Sequence, residues 1–281
     1  MSSDRKRSRH FLIPTKPILL ISTFTAILLF FSCWSYVLFV EGIKWTQLFS
    51  SKNLAYVNEF VGFLLGAENE NPAFYQPESW EMALNLAWKT LKMSLLAIGF
   101  AGSGMLITVL PGARITADGK LTLKATVWGR IMFGIIRVIY IVSRAVPELF
   151  WAMFIIFIFK PGILPGALAL GVHNFGILGK LCSEVVEDLD LRPARSLRSS
   201  GAGMYQVLFY GILPEVTPQF LTYVLYRWED IIRATIVVGF VASGGLGLEF
   251  RKAMSWFHYT DVTLLLIVYF FLVVSVDLIS G

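Results

Sequence analysis

Six long apolar stretches, separated by short polar segments, set the pattern of the chain. The first runs from about Pro17 to Val40. It is too long for a signal-peptide core and no small-residue cleavage site follows it, so it predicts a retained helix. The second runs from about Leu84 to Leu110 and is ended by Pro111-Gly112. A third, within Ala125–Phe159, is interrupted at Pro147. Ile163–Val186 is softened by Gly166, Gly171, Gly176 and Gly179, which predict close backbone approach. Val216–Val241 and Val262–Ile279 complete the set, with Gly244-Gly245-Leu246-Gly247 breaking the chain between them. Lipid offers no partner to free backbone groups, and barrel strands would be shorter and alternating. The stretches therefore predict an all-α integral membrane protein with about six transmembrane helices.

The polar segments orient these helices. Arg5, Lys6, Arg7, Arg9 and Lys16 precede the first stretch against one acid, Asp4, which predicts a cytoplasmic basic tail over 1–16 and a first transmembrane helix over 17–40. Residues 41–83 are poor in Lys and Arg and predict an external segment, with a short amphipathic helix over Asn53–Leu65. Residues 84–281 form the remaining core. Its loop with Arg114, Lys120, Lys124 and Arg130 is predicted on the cytoplasmic side, as is the polar stretch 187–215. Arg130, Arg137 and Arg144 recur every seven residues on one helix face, so Ala125–Ser143 is predicted to lie partly along that interface. Both termini fall inside.

Composition agrees with the pattern. Of 281 residues, 56% are hydrophobic and only 15% charged, and 23 Phe, 10 Tyr and 8 Trp supply interfacial anchors. The mean hydropathy is +0.67. The formal charge of +5 resides in short loops, which topology explains without nucleic acid. Cys33 and Cys182 lie in apolar runs with no metal-ligand spacing around them. No phosphate-binding Gly-x-x-x-x-Gly-Lys-Ser/Thr loop occurs. Gly176-Ile-Leu-Gly-Lys180 is too short an echo, so nucleotide is expected on a partner and no cofactor on this chain. His10, His173 and His258 are isolated. His173-Asn174 reads as a packing pair in preference to a path element.

The most informative stretch is Leu191–Pro214. Asp190 is placed to cap a short helix, Pro193 to sit in its first turn and Gly201 to end it. A second short segment, Met204–Tyr210, follows before Leu213-Pro214 opens the next helix. Its spacing of Gly201, nine residues, then Gly211-Ile212-Leu213-Pro214 resembles the cytoplasmic motif of ABC importer permeases: Glu-Ala-Ala, three residues, Gly, nine residues, Ile-x-Leu-Pro. Here Arg195-Ser196-Leu197 stands for Glu-Ala-Ala and Gly211 for Ile. From about Trp88 to Asp277 the chain resembles the phosphonate/phosphite importer permease family. The resemblance rests on Arg144-Ala-Val-Pro-Glu-Leu-Phe-Trp151, Arg192-Pro193, Tyr226-Arg-Trp-Glu-Asp-Ile-Ile-Arg-Ala-Thr235, Ala242-Ser-Gly-Gly-Leu-Gly247 and Met254-Ser-Trp-Phe257.

The resemblance implies a type I ABC importer fold, like that of the methionine importer, in the cell inner membrane. It implies a second permease subunit, two cytosolic ATPase subunits that carry ATP and Mg, and a periplasmic or lipid-anchored substrate-binding protein. Phosphonate, phosphite or related oxyanions are the implied solutes, and alternating access the implied mechanism. Arg192, Pro193, Arg195, Arg198, Gly201, Leu213 and Pro214 are the candidate ATPase-coupling residues. Arg227, Glu229 and Arg233, with Ser243, Gly244 and Gly245 at the break, are the candidate path residues. Glu229 and Arg233 are four apart on a helix and able to pair. Charges here read either as a neutralised structural cluster or as an oxyanion path, since guanidinium matches phosphonate geometry. An importer of another small solute, methionine or an osmoprotectant, remains the alternative. A membrane enzyme would need a buried catalytic or metal cluster, and the sequence holds none.

Overall fold

The computed structural model describes residues 15–39, 49–67, 69–119 and 127–280, and all regular structure among them is helical. Residues 1–14 of the predicted basic tail and Lys120 and Lys124 of the predicted basic loop lie outside the described residues, while Thr15 and Lys16 already belong to the first helix. The chain divides into two units, Met1–Val61 and Gly62–Gly281. In the first, α1 (Thr15–Phe39) is apolar around its circumference. α2 (Ser51–Leu64) begins there and ends in the second unit, at the position predicted for a short amphipathic helix.

The second unit opens with a 3₁₀ turn, Ala73–Tyr75, and α3 (Pro77–Thr108), seven residues longer at its start than the apolar run indicated. Its 32 residues span about 48 Å. A short turn of helix, α4 (Arg114–Ala117), precedes α5 (Val127–Ala145) and α6 (Glu148–Ile158). Then come α7 (Ile163–Glu187), α8 (Arg192–Ser199), α9 (Met204–Gln206), α10 (Leu213–Val238), α11 (Gly245–Ser255) and α12 (Tyr259–Ser280). A π-helical stretch, Val207–Ile212, carries α9 into α10, which opens at Leu213-Pro214 as predicted. The Leu213 amide donates to the Leu208 carbonyl five residues back, so the wider turn absorbs the start of a helix whose second residue is proline.

Among the described residues, three helices are long and apolar enough to cross a membrane alone: α1 from Leu19, α3 and α12. Two more candidates are bent pairs, α5–α6 at 97° and the π-stretch–α10 with α11 at 49°. The sixth predicted crossing is α7, a continuous helix of 25 residues. His173, Asn174 and Lys180 dilute its hydropathy. It tolerates them because it packs against α3, α5, α6 and α10 and about half of it is buried. Its glycines admit neighbours as predicted: a Cβ on Gly179 would stand 2.2 Å from the Tyr140 ring, whose hydroxyl donates to Thr108 at 2.8 Å.

The α5–α6 bend frees backbone carbonyls that hydrocarbon could not satisfy, and two side chains take them. The Trp151 indole donates to the Ser143 carbonyl at 3.0 Å, and His173 Nδ1 lies 2.9 Å from the Val146 carbonyl. The other ring nitrogen faces Glu148 at 3.5 Å. His173 is thus a packing residue in the sense predicted, with the further task of closing the bend. At the opposite end of α7, Glu187 ties three segments together. It accepts from the Arg114 amide at 2.6 Å and from Arg137, whose Nε donates to the Gly112 carbonyl at 3.0 Å.

Candidate functional site

Two regions hold the residues singled out by sequence. In the first, α8, a glycine turn and α9 form a bent, largely exposed element. Pro193 occupies the first turn of α8. Asp190 stands one residue ahead of the capping position, which is Leu191. Its carboxylate accepts from the Arg192 amide at 3.0 Å and from Arg192 Nε at 2.7 Å. The amide bond, with the guanidinium second, holds this exposed carboxyl below the usual carboxylate range. The helix ends in a Schellman turn: the Gly201 amide donates to the Arg198 carbonyl at 3.0 Å, and the Ala202 amide to the Leu197 carbonyl at 3.1 Å. Gly201 takes φ +86°, the left-handed conformation that glycine adopts without steric cost. Gln206 then caps α9 by accepting from the Gly203 amide at 2.8 Å.

The two departures from the importer motif are adjacent in space. A Cβ on Gly211 would stand 3.0 Å from Leu197 Cδ1 and 3.6 Å from the Ala194 Cα. Leu197, where the motif has Ala, thus covers Gly211, where the motif has Ile. Volume has moved from one side of the contact to the other, a compensation that core packing tolerates. Arg192, Pro193 and Arg195 remain exposed, as do Tyr205, Phe209 and Tyr210, whereas Ala194, Val207 and Ile212 anchor the element in the core.

The second region lies about 21–30 Å along α10. Arg227 is largely buried. Its Nε and Nη2 donate to the Asn174 Oδ1 of α7 at 2.9 and 2.6 Å, and its Nη1 to Asp230 Oδ2 at 2.7 Å. Asn174 is 2% exposed and its amide nitrogen donates to the Leu170 carbonyl at 2.8 Å, so both ends of the side chain are used. Arg233 is more open. It pairs with Glu229, as predicted, and approaches Asp230 Oδ1 at 3.4 Å and Asp277 of α12 at 3.8 Å. Asp230 thus lies between two guanidinium groups, one on each carboxylate oxygen. Charges in a span cost about 2.5–3.5 kcal/mol each on insertion scales, and here each faces a partner of opposite sign within the protein.

Asn174 and Asp277 are the members that sequence reasoning did not assign to this cluster. His173-Asn174 had a polar signature in an apolar helix, yet nothing local pointed to Arg227, 53 positions away. Above the cluster, Ser243 closes a π turn, Gly239–Ser243, and Gly244 and Gly245 take φ +94° and +70°. The turn serves a close approach. A Cβ on Gly245 would lie 2.6 Å from Thr90 Oγ1, the atom that accepts the Leu246 amide at 2.9 Å and so satisfies the start of α11. Gly244 and Gly245 are not joined to Arg227 and Arg233 by any hydrogen bond or ion pair among the described residues.

A glycine-packed helical bundle with a broken span at each flank, an internal charge cluster and an exposed helix–glycine–helix element defines a polytopic transport subunit. Residues 121–281 match the family described as binding-protein-dependent transport system inner membrane component, and the chain belongs to that family. It is 36% identical over 217 residues to the phosphite transport system permease protein PtxC of Stutzerimonas stutzeri, covering 77% of this chain and 74% of the relative. It is also 36% identical over 113 residues to the putative cryptic phosphonate transport system permease protein PhnE2 of Escherichia coli (strain K12), covering 40% of this chain and 93% of the relative. Among solved structures, the inward-facing MetNI methionine ABC transporter superposes with TM-score 0.57 at 18% identity, over 73% of this chain and 97% of that one. The fold is that of type I importer permeases.

Proposed function

We propose that this permease carries phosphite- or phosphonate-type oxyanions inward by alternating access, with Arg227 and Arg233 in the path. The observation that carries the reading is the convergence of two arginines, Arg227 and Arg233, on Asp230 within one candidate span. Guanidinium groups match the oxygens of such anions in geometry and charge. The names of the relatives, one a phosphite and one a phosphonate permease, point to the same solutes. The likeness to the methionine importer is one of fold and says nothing of solute.

In this reading the chain pairs with a second copy, and the α8–Gly201–α9 element faces the cytosol. There Arg192, Pro193, Arg195 and Arg198 meet one of two ATPase subunits, while Gly201, Leu213 and Pro214 pass its motion to α10. The N-terminal tail lies on the same side, and residues 41–83 lie outside with the solute-binding protein. ATP and Mg belong to the ATPases. Ser243, Gly244 and Gly245 form an outer hinge of the path.

The test is ligand-stimulated ATP hydrolysis by the complex reconstituted in lipid with its ATPase and binding protein. Phosphite or methylphosphonate should stimulate; phosphate and methionine are the comparison solutes. Stimulation by methionine alone would overturn the solute assignment.

A further inference from the structure

Asp230 is bound as a ligand would be. Its Oδ2 receives Arg227 Nη1 at 2.7 Å, and its Oδ1 faces Arg233 Nη1 at 3.4 Å. The remaining donors of Arg227 used here, Nε and Nη2, both go to the neutral Asn174 oxygen, which stays in place because its own amide is bonded to the Leu170 carbonyl. Arg233 turns its other nitrogen, Nη2, to Glu229 and Asp277. Across the group, two cations face three carboxylates, so no net positive charge is left to hold an incoming anion.

We infer that Asp230 is an internal surrogate for the transported oxyanion: it occupies the Arg227–Arg233 pair when the path is empty and is displaced by the solute. The inference rests on the path role proposed above and adds its regulation. Two carboxylate oxygens, each on a different guanidinium, reproduce how two oxygens of a tetrahedral phosphorus oxyanion would be shared by the same pair. Asp230 is about one-third exposed, enough to swing away, whereas Asn174 is buried and fixed. Displacement then has two consequences. Affinity at the site is reduced by the fraction of time Asp230 holds the pair, and return of Asp230 helps to expel the solute. An anion would otherwise stay long on two arginines.

The experiment uses the assembled permease–ATPase complex without its binding protein, with phosphite and methylphosphonate as probes and ³¹P NMR line broadening as the readout. The Asp230→Asn variant should bind both probes on the order of tenfold more tightly, matching removal of a competitor that holds the pair most of the time. In the full reconstituted system its maximal transport rate should fall. Glu229→Gln, which removes a carboxylate touching Arg233 alone, should not reproduce the gain. An equal gain in both variants would mean generic charge removal and would overturn the inference, as would unchanged binding by Asp230→Asn. If Asp230→Asn fails to assemble, infrared difference spectra of the native complex with carboxyl-labelled aspartate decide instead. Adding phosphite should shift a carboxylate stretch, and a flat difference spectrum overturns the displacement. Arg227→Gln separates the two claims. If it still binds the probes, the path reading itself fails. If it loses binding while Asp230→Asn changes nothing, only the surrogate role falls.

Discussion

At the α8 segment the backbone does the holding, while in the α10 cluster the side chains do. The first is built from residues within about twenty positions of one another: a proline in a first turn, a Schellman turn on Gly201 and a glutamine cap on α9. Its charged side chains stand largely outward and carry little of its shape. The second brings Asn174, Arg227, Asp230, Arg233 and Asp277 together from three helices, and its geometry exists only as long as those hydrogen bonds do. On the proposed reading, a surface offered to an ATPase has its contour fixed by the chain and its charges left available. The cluster inside the bundle has its charges consumed by one another.

Substitutions sharpen that contrast. The largest effect is expected for Arg227→Gln, which removes the less exposed of the two guanidinium groups on Asp230. Breaking such a hydrogen-bonded charge pair costs about 2–5 kcal/mol, so uptake should fall far more than tenfold in complexes that assemble normally. Arg233→Gln should also abolish uptake, and unchanged uptake kinetics would remove Arg233 from the path. Asn174→Ala comes next. It strips two donors of Arg227 of their acceptor, a loss of about 1–3 kcal/mol, visible as a lower unfolding temperature of the purified complex. A variant as stable as the parent would mean that Arg227 finds another acceptor.

Gly201→Ala should be milder and of a different kind. A Cβ there meets nothing within 4 Å, so its cost is purely the left-handed backbone, roughly 1–2 kcal/mol. The complex should assemble, and the number of solutes moved per ATP should drop with little change in solute affinity. A change in affinity with intact coupling would break the distinction between the two regions. The smallest effect belongs to Asp190. Its folded carboxyl titrates below its ordinary range, so its support of the α8 start is present above the unfolded pKa and is lost as pH falls through the lower folded value. Protection of the Arg192 amide from hydrogen exchange, taken relative to its intrinsic rate at each pH, should fall at acid pH in the parent, and Asp190→Asn should remove that pH dependence.

These differences also explain what could be read from the chain beforehand. Gly201, Pro193 and Leu213-Pro214 announce their roles because each acts on its own backbone or on neighbours a few residues away. The Glu229–Arg233 pair was legible for the same reason, being one helical turn apart. Asp190 was misplaced by one position because Leu191, not Asp190, takes the capping geometry. Leu213 does open α10 as read, but the π stretch that leads into it, Val207–Ile212, has no signature in the sequence. The partner of Arg227 was out of reach, since helix packing alone decides which residue of α7 it meets. Likewise the compensation between Leu197 and Gly211 appears in sequence as two unrelated departures from a motif and becomes one event only when the two residues touch. α7 shows the limit of hydropathy: a helix enclosed by other helices need not look as though it lives in oil.

The elbow between α5 and α6 has a bearing on how the machine moves. Straightening it would pull the Ser143 and Val146 carbonyls off Trp151 and His173, and Pro147, four residues after Ser143, has no amide to offer that carbonyl in exchange, at a cost of several kcal/mol where hydrocarbon surrounds it. His173 also belongs to α7, so the angle is braced from outside as well as from within. During a transport cycle these three helices should travel as one stiff bracket, and the flexing should fall on the π turns and glycines at either end of α10.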